Sequence, residues 1–187
     1  MCETIRAVIW FCDLRGFTEL SEKLPAAELV NFLNDYFGAM TDAVGRNGGE
    51  VLKFIGDALL AIFPLAGDGD TLVTERALAG VQEAAAANDM LNDKRRAAGQ
   101  PVIRFGVALH VGEVLYGNIG GASRLDFTVI GQAVNVAARI ESLSKTLGKR
   151  ILLSGEFAAL CSTKGTPLGS FPLHGVGTDV PVYSFEV

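Results

Sequence analysis

The sequence predicts a single α/β (α+β) domain, residues 1–187, in which helices flank a mostly antiparallel sheet. Two observations predict this class. Short apolar runs and helical segments follow in the order strand, helix, hairpin, helix, strand, which is the βαββαβ order of ferredoxin-like sheets, and a C-terminal αβ extension follows. In addition, 49% of the 187 residues are hydrophobic, which is enough to bury one full core.

The first half of the core begins with residues 5–12, which are almost all apolar, as expected for a strand buried on both faces. A helix begins at Pro25 and ends at an Asn-Gly-Gly turn. Residues 50–55 and 58–63 predict a tight hairpin, because only a Gly-Asp dipeptide separates them. The apolar stripe that we expect to face the sheet consists of Val30, Leu33, Phe37, Met40 and Val44.

In the second half of the core, an alanine-rich segment that ends near Ala98 predicts a long helix, and residues 102–111 predict the next strand. The extension starts with a glycine-rich excursion, followed by a helix from Gln132 to about Thr146. Short strands then follow near residues 150–153, 168–173 and 180–185.

Charge and cysteine content limit the possible functions. The formal net charge of −5 argues against binding to a nucleic-acid polymer or an anionic membrane surface. The chain has three widely spaced cysteines, which fit neither a disulfide framework nor a paired Cys-x-x-Cys site, so we expect a cytoplasmic setting. No stretch approaches eighteen consecutive apolar residues, and we expect no membrane contact by this domain, although a parent protein could be tethered.

Several common catalytic and nucleotide-binding motifs are missing from the sequence. It contains no Gly-x-Ser-x-Gly elbow, no Walker-type Gly-x-x-x-x-Gly-Lys-Ser/Thr loop and no Gly-x-Gly-x-x-Gly after a strand. Acyl transfer, P-loop hydrolysis and Rossmann-type binding therefore lack their usual sequence marks.

Two aspartates suggest a metal site. Asp13 ends the first strand and Asp57 lies at the tip of the hairpin, so pairing of these strands would bring both carboxylates to one edge of the sheet. Mg²⁺ and Mn²⁺ prefer such oxygen ligands, and two ions can assist a phosphoryl displacement. Each aspartate alone fits a plain role at a strand end or turn, but together they predict metal binding.

Other polar residues suit a nucleotide. Gly16, Phe17 and Thr18 open a helix, where main-chain N–H groups stabilise phosphate. Lys53 could donate to N1 of adenine while Thr128 accepts from the 6-amino group. The Thr128 hydroxyl could equally donate to guanine, so Lys53 carries most of this inference. The alternative for Lys53 is a stem on apolar surface with its ammonium group in water. We expect Lys53 to share one face of its strand with neighbours two positions away.

Asn135 and Arg139 lie four residues apart on the predicted extension helix and therefore share one face. One can orient a ribose and the other can meet a phosphate. A surface amide and a solvated arginine are the alternative, although the residues between them are apolar.

With these residues assembled, the chain resembles the catalytic domain of class III nucleotidyl cyclases over essentially its whole length. The motifs occur in order: Phe-x-Asp-Leu-x-Gly-Phe-Thr, Lys-x-x-Gly-Asp and Val-Asn-x-Ala-x-Arg. The resemblance implies the following roles. Asp13 and Asp57 bind metal, with Leu14 beside them; Lys53 and Thr128 select the base; Asn135 positions the ribose; Arg139 stabilises the reacting phosphate.

The lysine with threonine is similar to one subgroup of adenylate cyclases. The resemblance therefore implies conversion of ATP to 3′,5′-cyclic AMP and pyrophosphate with two Mg²⁺ (or Mn²⁺) ions, at sites shared across a homodimer. Residues 117–125 would form the dimerisation arm. We also expect a regulatory domain in a longer parent protein. A guanylate cyclase, in which glutamate typically replaces Lys53, and a catalytically silent dimerisation or nucleotide-sensing module stay open as alternatives.

Overall fold

The computed structural model describes residues 2–187. Eight strands and five helices are formed in this part of the chain. The strands are β1 (Cys2–Leu14), β2 (Glu50–Ile55), β3 (Ala58–Leu65), β4 (Phe105–Gly121), β5 (Arg124–Ile130), β6 (Ile151–Ser154), β7 (Thr166–Phe171) and β8 (Val180–Ser184). The helices are α1 (Phe17–Lys23), α2 (Ala26–Arg46), α3 (Asp70–Ala97), α4 (Gln132–Leu147) and α5 (Gly155–Leu160).

All eight strands belong to one sheet with the order β2-β3-β1-β4-β6-β8-β7, and β5 pairs with β4 outside this path. Every pairing is antiparallel except that of β4 with β6. The predicted fold class, a mostly antiparallel sheet flanked by helices with a C-terminal extension, is confirmed.

Helices cover both faces of the sheet. On one face, α2 and α3 pack over residues such as Trp10 and Phe63, whose rings stack at 6.2 Å. On the other face, α4 packs over Ile9 and Leu60. Residues 7–10 of β1 are fully buried, because this strand is central and covered on both sides, as the sequence predicts.

Three features differ from the predictions. The glycine-rich excursion is a regular antiparallel ribbon, since β4 runs on to Gly121 and pairs with β5. Helix α5 has six residues, a length at which apolar periodicity gives little signal. The buried face of α2 is rotated from the expected stripe, so Val30 is 53% exposed whereas Phe32 and Tyr36 are buried.

None of the helices in residues 2–187 combines the length and the apolar character needed to cross a membrane.

Candidate active site

The two aspartates lie at one edge of the sheet. Asp13 is opposite Ala58 in the β1–β3 ladder, so Asp57, the residue before Ala58, lies next to Asp13. Gly56 adopts φ 61°, a left-handed conformation that favours glycine, and this turn joins β2 to β3. The predicted juxtaposition follows from strand pairing and from the two-residue turn.

The carboxyl group of Asp13 is poorly satisfied by the protein alone. Its Oδ1 atom is buried and has no hydrogen-bond partner among residues 2–187. Burial, followed by the neighbouring carboxyl group of Asp57, raises the pKa of Asp13 to about 6. A cation between the two groups would compensate both the burial and the repulsion, so the pair fits a metal.

The protein by itself offers an incomplete coordination shell. No group of three or more His, Cys, Asp or Glu side chains that could hold a metal occurs in the part of the chain that the structure describes. The Leu14 side chain is in the core, 2% exposed, so only its main chain is available to a ligand. Such a site fits Mg²⁺, which is usually held by one or two carboxylates together with substrate phosphates and water.

A further acidic residue, which the sequence motifs do not reveal, lies close to Asp13. Glu141 on α4 is 2% exposed and accepts a hydrogen bond from Ser144 Oγ at 3.2 Å. Burial, followed by the charge of Asp13, raises the pKa of Glu141 to about 7. Its position on the buried face of α4, four residues after Ala137, is the signal that could have found it.

The segment after Asp13 presents main-chain donors. Gly16 is the N-cap of α1 with φ 72°, and no side chain caps the helix. The N–H groups of Phe17 and Thr18 at this first turn therefore have no intrahelical acceptor. Helix α1 has only seven residues, so any phosphate contact there depends on these individual donors.

Lys53 lies on β2 and is exposed. The β2–β3 register shifts between Val51, which pairs with Ala61, and Lys53, which pairs with Leu60. Because successive residues of β3 point to opposite faces, this bulge places Lys53 on the face opposite Val51. The expected alternation of Lys53 with Val51 is therefore wrong, whereas its alternation with Ile55 is confirmed.

Thr128 lies on β5 and is 6% exposed. Its hydroxyl group is buried without a hydrogen-bond partner within residues 2–187. A buried hydroxyl that lacks a partner is costly, so this position is suited to a ligand with a donor or acceptor.

Asn135 and Arg139 are both exposed on α4, one turn apart on the same face. The opposite face of the helix is anchored to the sheet by buried residues that include Ala133, Ala137 and Ile140. The packed face thus holds the two polar side chains toward solvent. Their position on one common face is as the spacing predicts.

One chain does not bring these residues into a single site. Asp13 pairs with Gly106 of β4, whereas Thr128 pairs with Gly117 of the same strand. These two β4 positions are eleven residues apart, and for an extended strand that separation is about 36 Å at 3.3 Å per residue. The aspartates and the threonine therefore belong to opposite ends of β4.

Large apolar side chains are exposed on the ribbon and on β2. Phe54 is 52% exposed and Ile55 is 45% exposed, although both lie in a strand. The Phe127 ring contacts Tyr116 edge-on at 4.7 Å but is still 45% exposed. The apolar residues of the ribbon with exposure above 40% are Leu115, Leu125, Phe127 and Ile130. Large apolar side chains exposed on neighbouring strands are candidates for a protein interface.

Comparison with known proteins identifies the family. Residues 3–182 match the family model described as the adenylate and guanylate cyclase catalytic domain. The chain therefore belongs to this class III cyclase family, whose members generally use divalent metal ions.

Individual relatives agree with this assignment. An adenylate cyclase of Anabaena cylindrica is 43% identical over 155 residues, which cover 81% of this chain and 30% of that protein. The crystal structure of an adenylyl cyclase from P. aeruginosa has a TM-score of 0.86 at 29% identity, covering 100% of this chain and 96% of that chain. A guanylyl cyclase crystal structure has a TM-score of 0.84 at 31% identity, covering 97% and 92%. The chain thus spans less than a third of the Anabaena relative.

Proposed function

We propose that this domain converts ATP to 3′,5′-cyclic AMP and pyrophosphate at two equivalent sites of a homodimer. The observation that carries the proposal is the separation of two half-sites along β4. Asp13 is in register with Gly106, and Thr128 is in register with Gly117. Neither half can bind and cyclise a nucleotide alone, but a two-fold arrangement supplies each half with its complement.

In this proposal, Asp13 and Asp57 hold two Mg²⁺ or Mn²⁺ ions together with the main chain of Leu14 and the substrate phosphates. When bound, the ions supply positive charge that lowers the pKa of the ribose 3′-hydroxyl group and neutralises the triphosphate. The orphaned Oδ1 atom of Asp13 and the close approach of Asp57 support this role.

The chemistry requires the ribose 3′-hydroxyl group to lose its proton to water and its O3′ atom to attack the α-phosphate in line, while the bond from that phosphorus to the leaving pyrophosphate breaks. Asn135 orients the ribose, and Arg139 stabilises the negative charge that grows on the α-phosphate. The N–H groups of Phe17 and Thr18, after the left-handed Gly16, bind the triphosphate. No covalent enzyme intermediate is needed.

Selection of adenine depends on Lys53 and Thr128. Lys53 donates to N1 of adenine, which is an acceptor, whereas N1 of guanine carries a proton. The buried, unpartnered hydroxyl group of Thr128 supports a contact with the base, in which it would accept from the 6-amino group of adenine. The fold does not separate the two activities, because a guanylyl cyclase at 31% identity has nearly the same structure. The assignment to ATP therefore rests on these two side chains and on the adenylate cyclase names of the relatives.

The exposed apolar residues of the ribbon and of β2 form the dimer surface in this proposal. Burying them in a second copy would remove apolar area from water and bring one copy's aspartates to the other copy's α4. The single-domain organisation, a cytoplasmic setting and a regulatory domain in a longer parent protein remain predictions. The last of these agrees with the chain covering 30% of the Anabaena protein.

A turnover assay tests the proposal. Formation of cyclic nucleotide is measured from ATP and from GTP, with Mg²⁺ and with Mn²⁺, over a dilution series of the protein. We expect cyclic AMP to dominate, and activity per chain to fall on dilution as dimers dissociate. Cyclic GMP as the main product would identify a guanylate cyclase, and no product under any condition would favour a silent dimerisation or nucleotide-sensing module.

A further inference from the structure

A cavity of about 310 Å³ lies where α3 passes the first residues of β4 and β6. Four arginines from four different segments line it, accompanied by one aspartate, Asp89. They are Arg15, Arg96, Arg104 and Arg150. None of the residues assigned above to nucleotide or metal lines this cavity. The proposed cyclase reaction therefore does not explain why four arginines line this cavity.

The positive charges in the cavity are incompletely compensated. Arg150 Nη1 lies 3.4 Å from Asp89 Oδ1, and Arg96 contacts Asp93 at 3.1 Å. Arg15 and Arg104 form no ion pair with any residue between 2 and 187. In a chain with a net charge of −5, this concentration of cations is a local exception. Clustered arginines of this kind attract an anion.

Two of the arginines are held in place by the protein. Arg15 Nη2 donates to the Lys149 carbonyl oxygen at 2.6 Å, and the Arg150 guanidinium lies 5.5 Å from the centre of the Phe105 ring. Arg15 Nε is buried and has no acceptor within the described chain. An anion would relieve the repulsion among these groups.

An uncharged side chain adds a second requirement for the ligand. Asn88 lines the same cavity and is 1% exposed. Its Nδ2 group donates to the Ile103 carbonyl oxygen at 3.1 Å, which leaves the Oδ1 atom buried and without a partner in residues 2–187. Because the Asn88 Oδ1 atom lacks a donor, a ligand that carries a hydroxyl group in addition to its negative charge would satisfy it.

We propose that this cavity is a binding site for a small phosphate-bearing anion that carries a hydroxyl group, either free hydrogen phosphate or a phosphate monoester. The arginines neutralise the phosphate, and a hydroxyl group of the ligand donates to Asn88. The site does not depend on the proposed cyclase reaction. Because Arg15 lies between Asp13 and Gly16 in the chain, occupancy also restrains the segment that leads into α1.

Isothermal titration calorimetry of the full chain with inorganic phosphate, glycerol 3-phosphate and sulfate, at constant ionic strength, tests the proposal. We expect saturable binding with one phosphate per chain and weaker binding of sulfate, which has no hydroxyl group near pH 7. Tighter binding of glycerol 3-phosphate would identify an ester as the occupant, and tighter binding of inorganic phosphate would identify the free ion. Sulfate that binds as tightly as both would overturn the assignment of a hydroxyl-bearing ligand.

Variants locate the binding. The double variant Arg104→Gln with Arg150→Gln should weaken phosphate binding by at least about tenfold, since it removes two positive charges and their charge-assisted hydrogen bonds to the phosphate. Arg104→Gln alone, at an exposed side chain, is the substitute if the double variant does not fold.

Two further variants are controls. Arg76→Gln also removes one arginine charge, at an exposed position of α3 outside the cavity, and should leave phosphate binding unchanged. Arg139→Ala should also retain binding, because the phosphate is not in the nucleotide site. Absence of saturable binding, or equal affinity in the double variant, would refute the site.

Discussion

Asp13 and Thr128 are in register with two β4 residues, Gly106 and Gly117, that lie near opposite ends of that strand. Eleven residues of extended strand at about 3.3 Å each separate these two positions by much more than a side chain can reach, so no side-chain movement within one chain joins the aspartate to the threonine. In the proposed dimer, each chain therefore contributes one half-site to each of the two active sites. Sharing of the active sites between chains can therefore be tested by mixing two variants of the protein.

We predict that two inactive variants restore activity when they are mixed. In the proposed dimer, Asp13→Ala removes a metal ligand of one half-site and Arg139→Ala removes a catalytic group of the other, so each variant alone should be inactive. In a mixed dimer, one of the two sites combines Asp13 from one chain with Arg139 from the other. With random exchange, half of the dimers are mixed, and turnover should recover to about a quarter of the wild-type value.

The control for this experiment is a mixture of Asp13→Ala with Asp57→Ala. Both substitutions fall in the same half-site, so no mixed dimer has an intact site, and the mixture should stay inactive. Cyclic AMP formation is measured after subunit exchange at high protein concentration. Activity in either variant alone, or recovery in the control mixture, would contradict the shared site.

Lys53→Glu should change the choice of nucleotide. The substitution replaces by an acceptor the donor that we assign to N1 of adenine, and a lost hydrogen bond to a charged group costs about 2 kcal/mol, so kcat/KM for ATP should fall about 30-fold. The ratio of GTP to ATP turnover should rise. Lys164→Glu, at another exposed lysine, gives the matched charge reversal and should leave the ratio unchanged. An unchanged ratio in Lys53→Glu would remove this residue from base selection.

The sequence predicts the parts of the site that depend on short-range rules. Asp13 and Asp57 meet because a two-residue turn defines the hairpin and because β1 pairs with β3, and the four-residue spacing of Asn135 and Arg139 defines a helix face. The pattern within β2 predicts the face of Lys53 relative to its neighbours only in part. A one-residue bulge reverses its relation to Val51, and such a shift arises from pairing with β3 rather than from the order of residues in β2.

Features that depend on packing between distant segments were not predictable. Glu141 is a charged residue on a helix, which by composition alone suggests a solvated position, yet the sheet and Ser144 bury it. The ribbon of β4 and β5 contains several glycines, which suggest an irregular loop, whereas cross-strand pairing makes it regular. In both cases the partner that decides the outcome lies elsewhere in the chain.

Gly112→Ala should reduce activity by moving α4. A Cβ atom at Gly112 would lie 2.5 Å from the Cβ atom of Ala133, in the first turn of α4, and neither atom can rotate away. The helix must shift, and Asn135 shifts with it. We expect a loss of about 1–3 kcal/mol of stability from overpacking, together with a fall in kcat.

Gly38→Ala is the control for this substitution. It lies in α2, and a Cβ atom added there would have nothing within 4 Å, so the methyl group should stabilise the helix by about 0.5–1 kcal/mol and leave kcat unchanged. Chemical denaturation measures the stability, and the turnover assay measures kcat. A wild-type kcat in Gly112→Ala would contradict the prediction, because it would show that catalysis does not depend on the position of α4.

Glu75 should stabilise the fold in a pH-dependent manner. Its carboxylate on α3 accepts hydrogen bonds from the loop after α5, where Thr163 donates through both its main-chain N–H group at 2.8 Å and its hydroxyl group at 2.9 Å. Burial opposes ionisation of Glu75, but hydrogen bonds from Ser162, Thr163 and Cys161 outweigh it and lower its pKa from 4.5 to about 2.

Because the folded-state pKa of Glu75 lies below the unfolded value, the stabilisation is fully present above pH 4.5 and is lost as the pH falls toward 2. Glu75→Gln should therefore lower Tm at pH 7, and the difference from wild type should shrink at pH 3. Glu22→Gln, at an exposed position on α1, should show no such difference at either pH. Thermal unfolding at both values measures the effect. A Tm difference for Glu75→Gln that stays constant from pH 7 to pH 3 would mean that its charge does not hold the loop.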